Sequence, residues 1–346
     1  MLETGRRDPV VGEARENPTM ARIGLVLGAG GAVGEGFHVG ALAAIAEATG
    51  FDPRSCEVVV GTSAGSVVAA SLRAGLSATD LFARVTGRPL SPAGRAFLES
   101  LPTSSNKPAV ATPPRRLAPA SPELIGRLVA KPQSFKALKA LTALLPEGRR
   151  DGAGWFTGFD IAFPDGAWPK EALWICAVSL ERGDRVVFGR DEPAVAGSPR
   201  VAEAVQASCA IPAIFKPVAV NGRRYVDGGV HSPTNADLLS GLALDAVIVS
   251  SPMSMSGSPP AGTSGPLLSA SRIPAKRTLR RELAPLTERG VPILTFEPSG
   301  ELVSLMGMKA MDFSRRGPVA EQTYSMAKEA LVGGAAEEVG AILSDA

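Results

Sequence analysis

The chain has 346 residues, which is enough to bury one large hydrophobic core or two modest ones. Its formal net charge is only +2, which argues against a protein that binds nucleic acid. Hydrophobic residues make up 45% of the sequence, yet no window approaches the ~18 uninterrupted apolar residues of a membrane span.

Two features bear on the compartment in which the protein works. Residues 1–21 are polar and lack the apolar segment of a signal peptide, so we expect a disordered N-terminal tail. The three cysteines are scattered and odd in number, which fits neither a disulfide framework nor a zinc site. We interpret Cys56, Cys176 and Cys209 as buried thiols of a protein in the reducing cytoplasm. Nothing in the sequence calls for a metal or another cofactor.

The first part of the chain alternates apolar strands with helices. Residues 23–27 predict a strand, the glycine-rich residues 28–36 predict a turn, and residues 38–48 predict a helix. The β-branched run at residues 57–60 predicts a buried strand, and residues 64–74 predict the helix that follows it. This order predicts an α/β protein with a parallel sheet that helices cover on both faces.

The rest of the chain adds further strands and two segments of low complexity. The Pro/Ser-rich residues 88–122 predict a mobile loop or lid insertion, and residues 252–271 predict a second flexible segment. Asn221-Gly222 lies between two short apolar runs, which predicts a β-hairpin. Further strands are predicted over residues 173–180, 185–188, 217–220, 224–226, 246–250 and 291–296, and helices over residues 121–145, 200–208 and 319–343. Because no repeat or convincing boundary occurs, we expect a single domain over residues 22–346.

A cluster of small residues, Gly61-Thr62-Ser63-Ala64-Gly65, joins the predicted buried strand to the next helix. It matches the G-x-S-x-G pattern of a nucleophile elbow, in which the chain reverses sharply and exposes a serine at the apex. Side chains two residues before and after this serine would collide, which explains Gly61 and Gly65. Ser63 is therefore a candidate nucleophile. A glycine-rich turn with a capping serine is the ordinary structural alternative.

The glycine-rich turn over residues 28–34 has three functional interpretations. A dinucleotide fingerprint fails because Val33 stands where its last glycine belongs, and a P-loop fails because no lysine follows the glycines. The third is an oxyanion loop, in which the N–H groups of Gly30 and Gly31 bind a substrate carbonyl oxygen. Since parallel strands open their carboxyl ends on one crevice, we expect this loop beside Ser63. A tight strand-to-helix turn is the structural alternative.

A serine nucleophile needs a group that accepts its proton, and the sequence contains only two histidines. His38 lies in an apolar helix and is better interpreted as a packed side chain. His231 fits the chain order of a Ser-Asp-His triad, but it follows Asp227 so closely that one has little room to orient the other. Alternatively Asp227, followed by Gly228 and Gly229, accepts the proton directly once burial has raised the pKa of its carboxyl.

Four blocks of sequence follow one another in a recognisable order: LVLGAGGAVGEGFHVGAL, VVVGTSAGS, ASCAIPAIFKPV and YVDGGVHSPTNADLL. Together they resemble the patatin-like phospholipase family, in its bacterial type. Each block is weak alone, but all four, in the family's order between residues 23 and 250, are a specific signal. The resemblance implies a three-layer α/β/α sandwich with a mainly parallel central sheet.

The resemblance also implies a function. The family cleaves acyl esters of phospholipids and other lipids with a Ser-Asp dyad through an acyl-enzyme, without metal in many bacterial-type members. Ser63 matches the nucleophile, Asp227 the catalytic aspartate, and the N–H groups around Gly30 and Gly31 the oxyanion hole. We therefore expect a phospholipase A, a lysophospholipase or an esterase, with His231 as a bystander.

One position departs from the family's pattern. The glycine loop of the family usually carries arginine or lysine where this chain has Val33. This change puts the preference for phospholipids in question and leaves a catalytically silent lipid- or acyl-binding protein as an alternative. Arg22, Arg223 and Arg224 are candidates to supply the missing charge.

Two basic amphipathic stretches, residues 131–145 and 271–290, have the composition of segments that lie on anionic lipid. Ordinary surface or packing helices are the simpler interpretation of both. The expected partners are thus a lipid or acyl-ester substrate and, peripherally, a membrane surface, with no nucleic acid.

Overall fold

The computed structural model describes residues 21–101, 147–191, 199–258, 265–331, 335–344 and 346. The tail predicted over residues 1–21, apart from Ala21, and the helices predicted over residues 121–145 lie outside this part of the chain. Within the described residues, no helix combines the length and the hydropathy needed to cross a bilayer.

The described residues form eight strands and ten α-helices. The strands are β1 Ile23–Leu27, β2 Val58–Thr62, β3 Ala172–Ser179, β4 Arg185–Phe188, β5 Val218–Val220, β6 Arg223–Asp227, β7 Ala246–Ser250 and β8 Ile293–Phe296. The helices are α1 Gly31–Thr49, α2 Ala64–Arg73, α3 Ala78–Thr86, α4 Pro92–Ser100, α5 Gly158–Ala162, α6 Val201–Ser208, α7 Gly265–Glu288, α8 Gly300–Met306, α9 Arg316–Ala330 and α10 Ala335–Ser344.

All eight strands belong to one sheet with the order β5-β6-β3-β2-β1-β7-β8, and β4 pairs with β3. The five strands β3, β2, β1, β7 and β8 are parallel. Strands β4 and β6 are antiparallel to β3, and β5 is antiparallel to β6. Every residue of β1, β2 and β7 is buried. Continuous burial is typical of parallel strands that helices cover on both faces.

Helices pack on both faces of this sheet. Leu25 and Leu27 of β1 belong to the larger core, which also contains residues of α1, α2, α3 and α9. Val26, which lies between them, belongs to the second core with Leu279 and Leu286 of α7. Because successive strand residues point to opposite faces, the alternation places the two cores on the two sides of the sheet. The fold is the predicted three-layer α/β/α sandwich.

The strand register places the carboxyl ends of β2 and β6, which are distant in the chain, next to each other. Ile175 and Cys176 of β3 pair with both β2 and β4, so these two strands lie on opposite edges of β3. Ala177 and Val178 pair with both β4 and β6, so β6 lies on the edge that β2 occupies. Strand β2 therefore ends where the antiparallel β6 ends. The residue that follows β2 is Ser63.

Three segments are more ordered than the sequence predicts. Part of the predicted loop over residues 88–122 is α4, which begins because the Ser91 side chain accepts a hydrogen bond from the Gly94 N–H at 3.0 Å. Part of the segment predicted to be flexible over residues 252–271 is the first turns of α7. The turn predicted over residues 28–36 is short, because α1 already begins at Gly31. Proline, serine and glycine start these helices as well as forming loops.

Candidate active site

The elbow between β2 and α2 holds Ser63 in a strained backbone conformation. Its φ of 53° and ψ of −122° lie in a region that costs a residue with a side chain about 1–3 kcal/mol. Hydrogen bonds fix this conformation from both sides. The Ser63 N–H donates to the Ser208 hydroxyl at 2.8 Å, and the Ser63 carbonyl accepts from the Ser66 hydroxyl at 2.6 Å.

The two glycines of the elbow are required by close packing. A Cβ atom on Gly61 would lie 2.6 Å from the Cα atom of Ser66, in the first turn of α2. A Cβ atom on Gly65 would lie 2.0 Å from the carbonyl oxygen of Leu27, at the end of β1. A side chain at either position would collide, as the sequence predicts. The atoms in the way differ from the prediction: Gly61 lies against the backbone of Ser66, and Gly65 lies against the end of β1 instead of against Gly61.

Asp227 ends β6 with its carboxyl group buried, and only 5% of the residue is exposed. The backbone N–H of Gly229 donates to the Asp227 carboxylate at 2.7 Å. Burial raises the pKa of Asp227 to about 6, against the opposing effect of hydrogen bonds from the Ser63 side chain and the Gly229 N–H. The Ser63 side chain thus lies near a carboxyl group whose pKa is well above its usual value.

Two other glycines shape the end of β6. Gly228 lies against β3, where a Cβ atom would be 2.3 Å from the Cys176 carbonyl oxygen. Gly229 supplies the N–H that the Asp227 carboxylate accepts, and a Cβ atom there would lie 3.0 Å from that carboxylate. The Asp-Gly-Gly sequence is therefore a tight turn that also orients an acidic side chain.

The glycine loop after β1 presents backbone donors next to the elbow. Gly31 has a φ of +62°, and a Cβ atom there would lie 2.6 Å from the carbonyl oxygen of Ala310. Among the described residues, the N–H groups of Gly30, Gly31 and Ala32 have no hydrogen-bond acceptor. The first N–H groups of a helix lack intrahelical partners, and the helix dipole places partial positive charge there. These donors are suited to bind an anionic oxygen.

His38 is a fully buried side chain that supports this loop. Its Nε2 lies 2.8 Å from the Gly28 carbonyl oxygen, and its Nδ1 lies 2.7 Å from the Ser250 hydroxyl. Because a carbonyl can only accept, Nε2 carries the proton and Nδ1 accepts from Ser250. Burial lowers the pKa of His38 to about 4, so the ring is neutral near pH 7. The predicted packed histidine also anchors the end of β1.

His231 lies beside a different carboxylate. Burial of Asp237 opposes its ionisation, but hydrogen bonds and charge from Arg185, and to a smaller extent His231, lower the pKa of its carboxyl. Hydrogen bonds from Arg185 to Asp237 measure 2.7 and 2.8 Å. Neither histidine lines the cavity that contains Ser63.

That cavity has a volume of about 680 Å³, which is within the usual range of ligand sites. Ser63, Gly31 and Ala32 lie in its wall, so the elbow and the glycine loop share one space. Aromatic side chains form another part of the wall. The Trp155 ring packs edge-on against Phe215 at 5.5 Å and against Phe313 at 6.0 Å between ring centroids. The cavity therefore joins a polar reaction point to an apolar surface.

Sequence reasoning missed the charged residues of this cavity. Its wall contains Arg84, Arg150, Lys216 and Arg316, together with Glu35. These five residues come from five separate segments, and no local motif marks them. The arginines expected to supply charge lie elsewhere: Arg22 pairs with Glu57 at 3.5 Å, Arg224 with Glu181 at 3.2 Å, and Arg223 begins β6, at the far end from Asp227.

The three cysteines are free thiols in the described structure. Cys56 and Cys176 are buried, as expected, and burial raises the pKa of each thiol to about 12. Cys209 is partly exposed and lies in the cavity wall, and burial of its thiol together with the Asp227 charge raises its pKa. A raised pKa keeps the thiol protonated and unreactive near pH 7.

Two solved structures resemble the chain at low sequence identity. VipD from Legionella pneumophila is 13% identical with a TM-score of 0.41, covering 96% of this chain and 71% of that one. The type III effector protein ExoU is 16% identical with a TM-score of 0.37, covering 93% of this chain and 54% of that one, so this chain spans about half of ExoU.

No curated protein matches the sequence at a significant level. Residues 25–240 match the family model described as patatin-like phospholipase. The match extends from β1 through the glycine loop, the elbow and the end of β6, and it covers well over half of the chain. The chain therefore belongs to the patatin-like phospholipase family.

Proposed function

We propose that this protein is a serine lipid acyl hydrolase in which Ser63 is the nucleophile and Asp227 the general base. Membership in the family indicates a lipid acyl hydrolase, and the finer assignment rests on one observation. A serine in a strained elbow and a buried carboxylate with a raised pKa are brought together at the ends of β2 and β6, beside N–H groups that lack acceptors in the described chain. This arrangement combines a nucleophile, a base and an oxyanion site.

The proposed reaction begins when the Ser63 hydroxyl attacks the carbonyl carbon of an ester. Asp227 takes the hydroxyl proton as the bond from Oγ to carbon forms, and the carbonyl electrons move onto the oxygen. The N–H groups of Gly30 and Gly31 bind this oxyanion. When the carbon–oxygen double bond re-forms, the alcohol leaves with the proton that Asp227 held, and an acyl-enzyme remains.

Water then completes the cycle in the same order. Asp227 accepts a proton from the water as its oxygen attacks the acyl-enzyme, and the same N–H groups bind the second oxyanion. Collapse of this intermediate releases the fatty acid and returns the proton to Ser63. One carboxyl group with a pKa near 6 serves both steps, because it holds a proton only transiently near pH 7.

The cavity wall favours an acyl substrate. Trp155 contacts both Phe215 and Phe313, and the three rings offer an apolar surface on which an acyl chain packs. The volume of about 680 Å³ accommodates a lipid-sized acyl group in part. We therefore assign the activity to carboxylic esters of lipids, with phospholipids, lysophospholipids and simple esters as the substrates to compare.

The direct test is covalent labelling with a fluorophosphonate probe followed by peptide mapping. We expect the label on Ser63 in the wild-type chain and no label on Ser63→Ala. Hydrolysis of a panel of short esters, lysophospholipids and diacyl lipids should disappear in the same variant. A wild-type chain that neither reacts nor hydrolyses any of these would be a silent lipid-binding protein.

The alternative with a Ser-Asp-His triad has its own discriminating variant. His231 does not line the cavity that contains Ser63, which favours the dyad. We expect His231→Ala to retain most of the esterase activity, whereas a loss similar to that of Ser63→Ala would establish the triad.

A further inference from the structure

Among the described residues, the wall of the cavity that contains Ser63 carries an excess of positive charge. Of the cations in its wall, Arg316 pairs with Glu35 at 3.0 Å, and Lys216 lies 4.0 Å from Asp151. In the part of the chain that the structure describes, Arg84 and Arg150 have no acidic partner. The whole chain has a formal net charge of only +2, so this local excess does not follow from composition.

Exposed apolar side chains lie next to these cations. Phe313 is in the cavity wall, yet 51% of the residue is exposed. Ile214 is 37% exposed, and its carbonyl accepts hydrogen bonds from the N–H groups of Arg149 and Arg150 at 3.1 Å. Ile214 is thus fixed beside Arg150. Large exposed apolar residues beside a ligand cavity mark a surface that contacts something else.

Cations beside exposed apolar side chains fit one kind of binding partner. Guanidinium and ammonium groups bind the phosphates of lipid head groups, while aromatic and aliphatic side chains enter the boundary between head groups and acyl chains. A protein partner with an acidic surface satisfies the cations but leaves the adjoining cavity, with its apolar wall, unused. An anionic lipid surface binds the cations through its head groups and contacts the apolar cavity wall through its acyl chains.

We propose that Arg84, Arg150, Lys216, Ile214 and Phe313, here called the cavity rim, dock on the anionic surface of a lipid aggregate. Docking places the mouth of the cavity on the layer that holds acyl esters, so a substrate enters without crossing water. The delivery of an ester to Ser63 rests on the proposed function, whereas the docking itself does not.

One of the two basic stretches singled out in the sequence packs against the sheet. Residues 271–290 fall mostly in α7, where Leu279 and Leu286 are buried and pack the helix onto the opposite face of the sheet. Residues 131–145 lie outside the described residues. The rim is therefore a surface that only the folded chain assembles.

The test measures binding of the full chain to vesicles in a Ser63→Ala background, where no hydrolysis interferes. The vesicles contain phosphatidylcholine alone or phosphatidylcholine mixed with phosphatidylglycerol. We expect clear binding to the mixed vesicles, weakened by added salt, and little to phosphatidylcholine alone. The pair Arg84→Gln and Arg150→Gln should weaken binding at least about tenfold, since each cation near an anionic surface contributes about fivefold.

The chain offers matched controls on the opposite layer. Arg280 and Leu267 on α7 are exposed like the rim residues, and Leu267 is 56% exposed. Arg280→Gln and Leu267→Ser should bind vesicles like the parent, whereas Phe313→Ser should bind several-fold more weakly. Because all these side chains are exposed, the variants are expected to fold, and thermal unfolding verifies this.

Several results of these binding measurements would overturn the docking proposal. Equal binding to both vesicle types, no binding to either, or equal effects of rim and control variants would overturn it. A dimer that Phe313→Ser converts to a monomer would show that a second copy covers the rim, and would also overturn it. Vesicle binding that follows the rim while no ester is hydrolysed by the wild type would support docking and reject the proposed function.

Discussion

Two neighbouring parallel strands, β1 and β2, each end in a glycine-rich turn that leads into a helix, but the two turns use glycine differently. In the elbow after β2, the strained residue is Ser63 itself, and Gly61 and Gly65 give space to adjacent backbone. In the loop after β1, Gly31 has the positive φ, and the loop leaves N–H groups without acceptors in the described chain. One turn exposes a reactive oxygen and the other exposes donors.

This difference shows how one kind of sequence, a glycine-rich turn between a strand and a helix, can serve two chemical roles. A side chain at the apex of a turn becomes available for reaction when the neighbouring glycines let the backbone reverse. A turn without side chains makes its amides available instead. The site needs both, because a nucleophile without oxyanion donors and donors without a nucleophile are each poor catalysts.

The largest effect is expected from Asp227→Asn, which removes the base that faces the elbow. An amide keeps the shape of the side chain and the acceptor for the Gly229 N–H, but it cannot take the Ser63 proton. We expect kcat/KM for a soluble ester to fall about 10⁴-fold. Steady-state kinetics measure the loss. A fall of less than tenfold would mean that another group is the base.

A smaller loss is expected from Gly31→Ala, which disturbs the donor turn. The new methyl group would lie 2.6 Å from the Ala310 carbonyl oxygen at a φ of +62°, so the loop must shift. Losing one oxyanion donor typically costs about 10²–10³ in kcat. Gly50→Ala is the matched control, since Gly50 ends the same helix at a φ of +74° with no neighbouring atom within 4 Å. Equal activity of the two variants would contradict the assignment of the loop.

The pH dependence of kcat/KM is expected to report the ionisation of the Asp227 carboxyl. Burial raises the pKa of Asp227 to about 6, and only the ionised carboxylate accepts a proton. Activity is therefore half-maximal near pH 6, close to full about one unit above it, and falls about tenfold for each further unit below it. His38, with a pKa of about 4, stays neutral through this range. The profile of kcat/KM against a neutral ester measures the midpoint, and a midpoint near 4 would show that the carboxyl is exposed to water.

The smallest effect concerns stability at the elbow. Ser63→Gly relieves the strain of a φ of 53°, so we expect the free energy of unfolding to rise by about 1–2 kcal/mol while activity is lost. Ser63→Ala loses activity equally but keeps the strained Cβ atom, and it should not gain this stability. Denaturant titration of the two inactive variants separates strain from chemistry. Equal stabilities would show that the elbow is relaxed.

Local sequence patterns were sufficient to predict much of the fold. The βαβα order, the hairpin at Asn221-Gly222 and the buried strand at residues 246–250 depend on spacing and turn chemistry that a short segment already contains. The family resemblance added the sandwich and the Ser63–Asp227 pairing, whose catalytic role is still a prediction. Segments rich in proline and serine were the least predictable, because the same residues begin helices and form loops. The division into a tail and a single domain over residues 22–346 also stays a prediction.

The sequence by itself determined which residues are candidates for catalysis: a serine between two glycines, an acid before two glycines, and a loop with few side chains. Only the tertiary structure decided how they meet. The register of β3 places the ends of β2 and β6 on one edge, and burial there, rather than the identity of Asp227, raises the pKa of its carboxyl. The charge around the cavity was decided in the same way, since Arg84, Arg150, Lys216 and Arg316 come from separate segments. Distance along the chain says nothing about distance in space, and desolvation depends on what surrounds a group after folding.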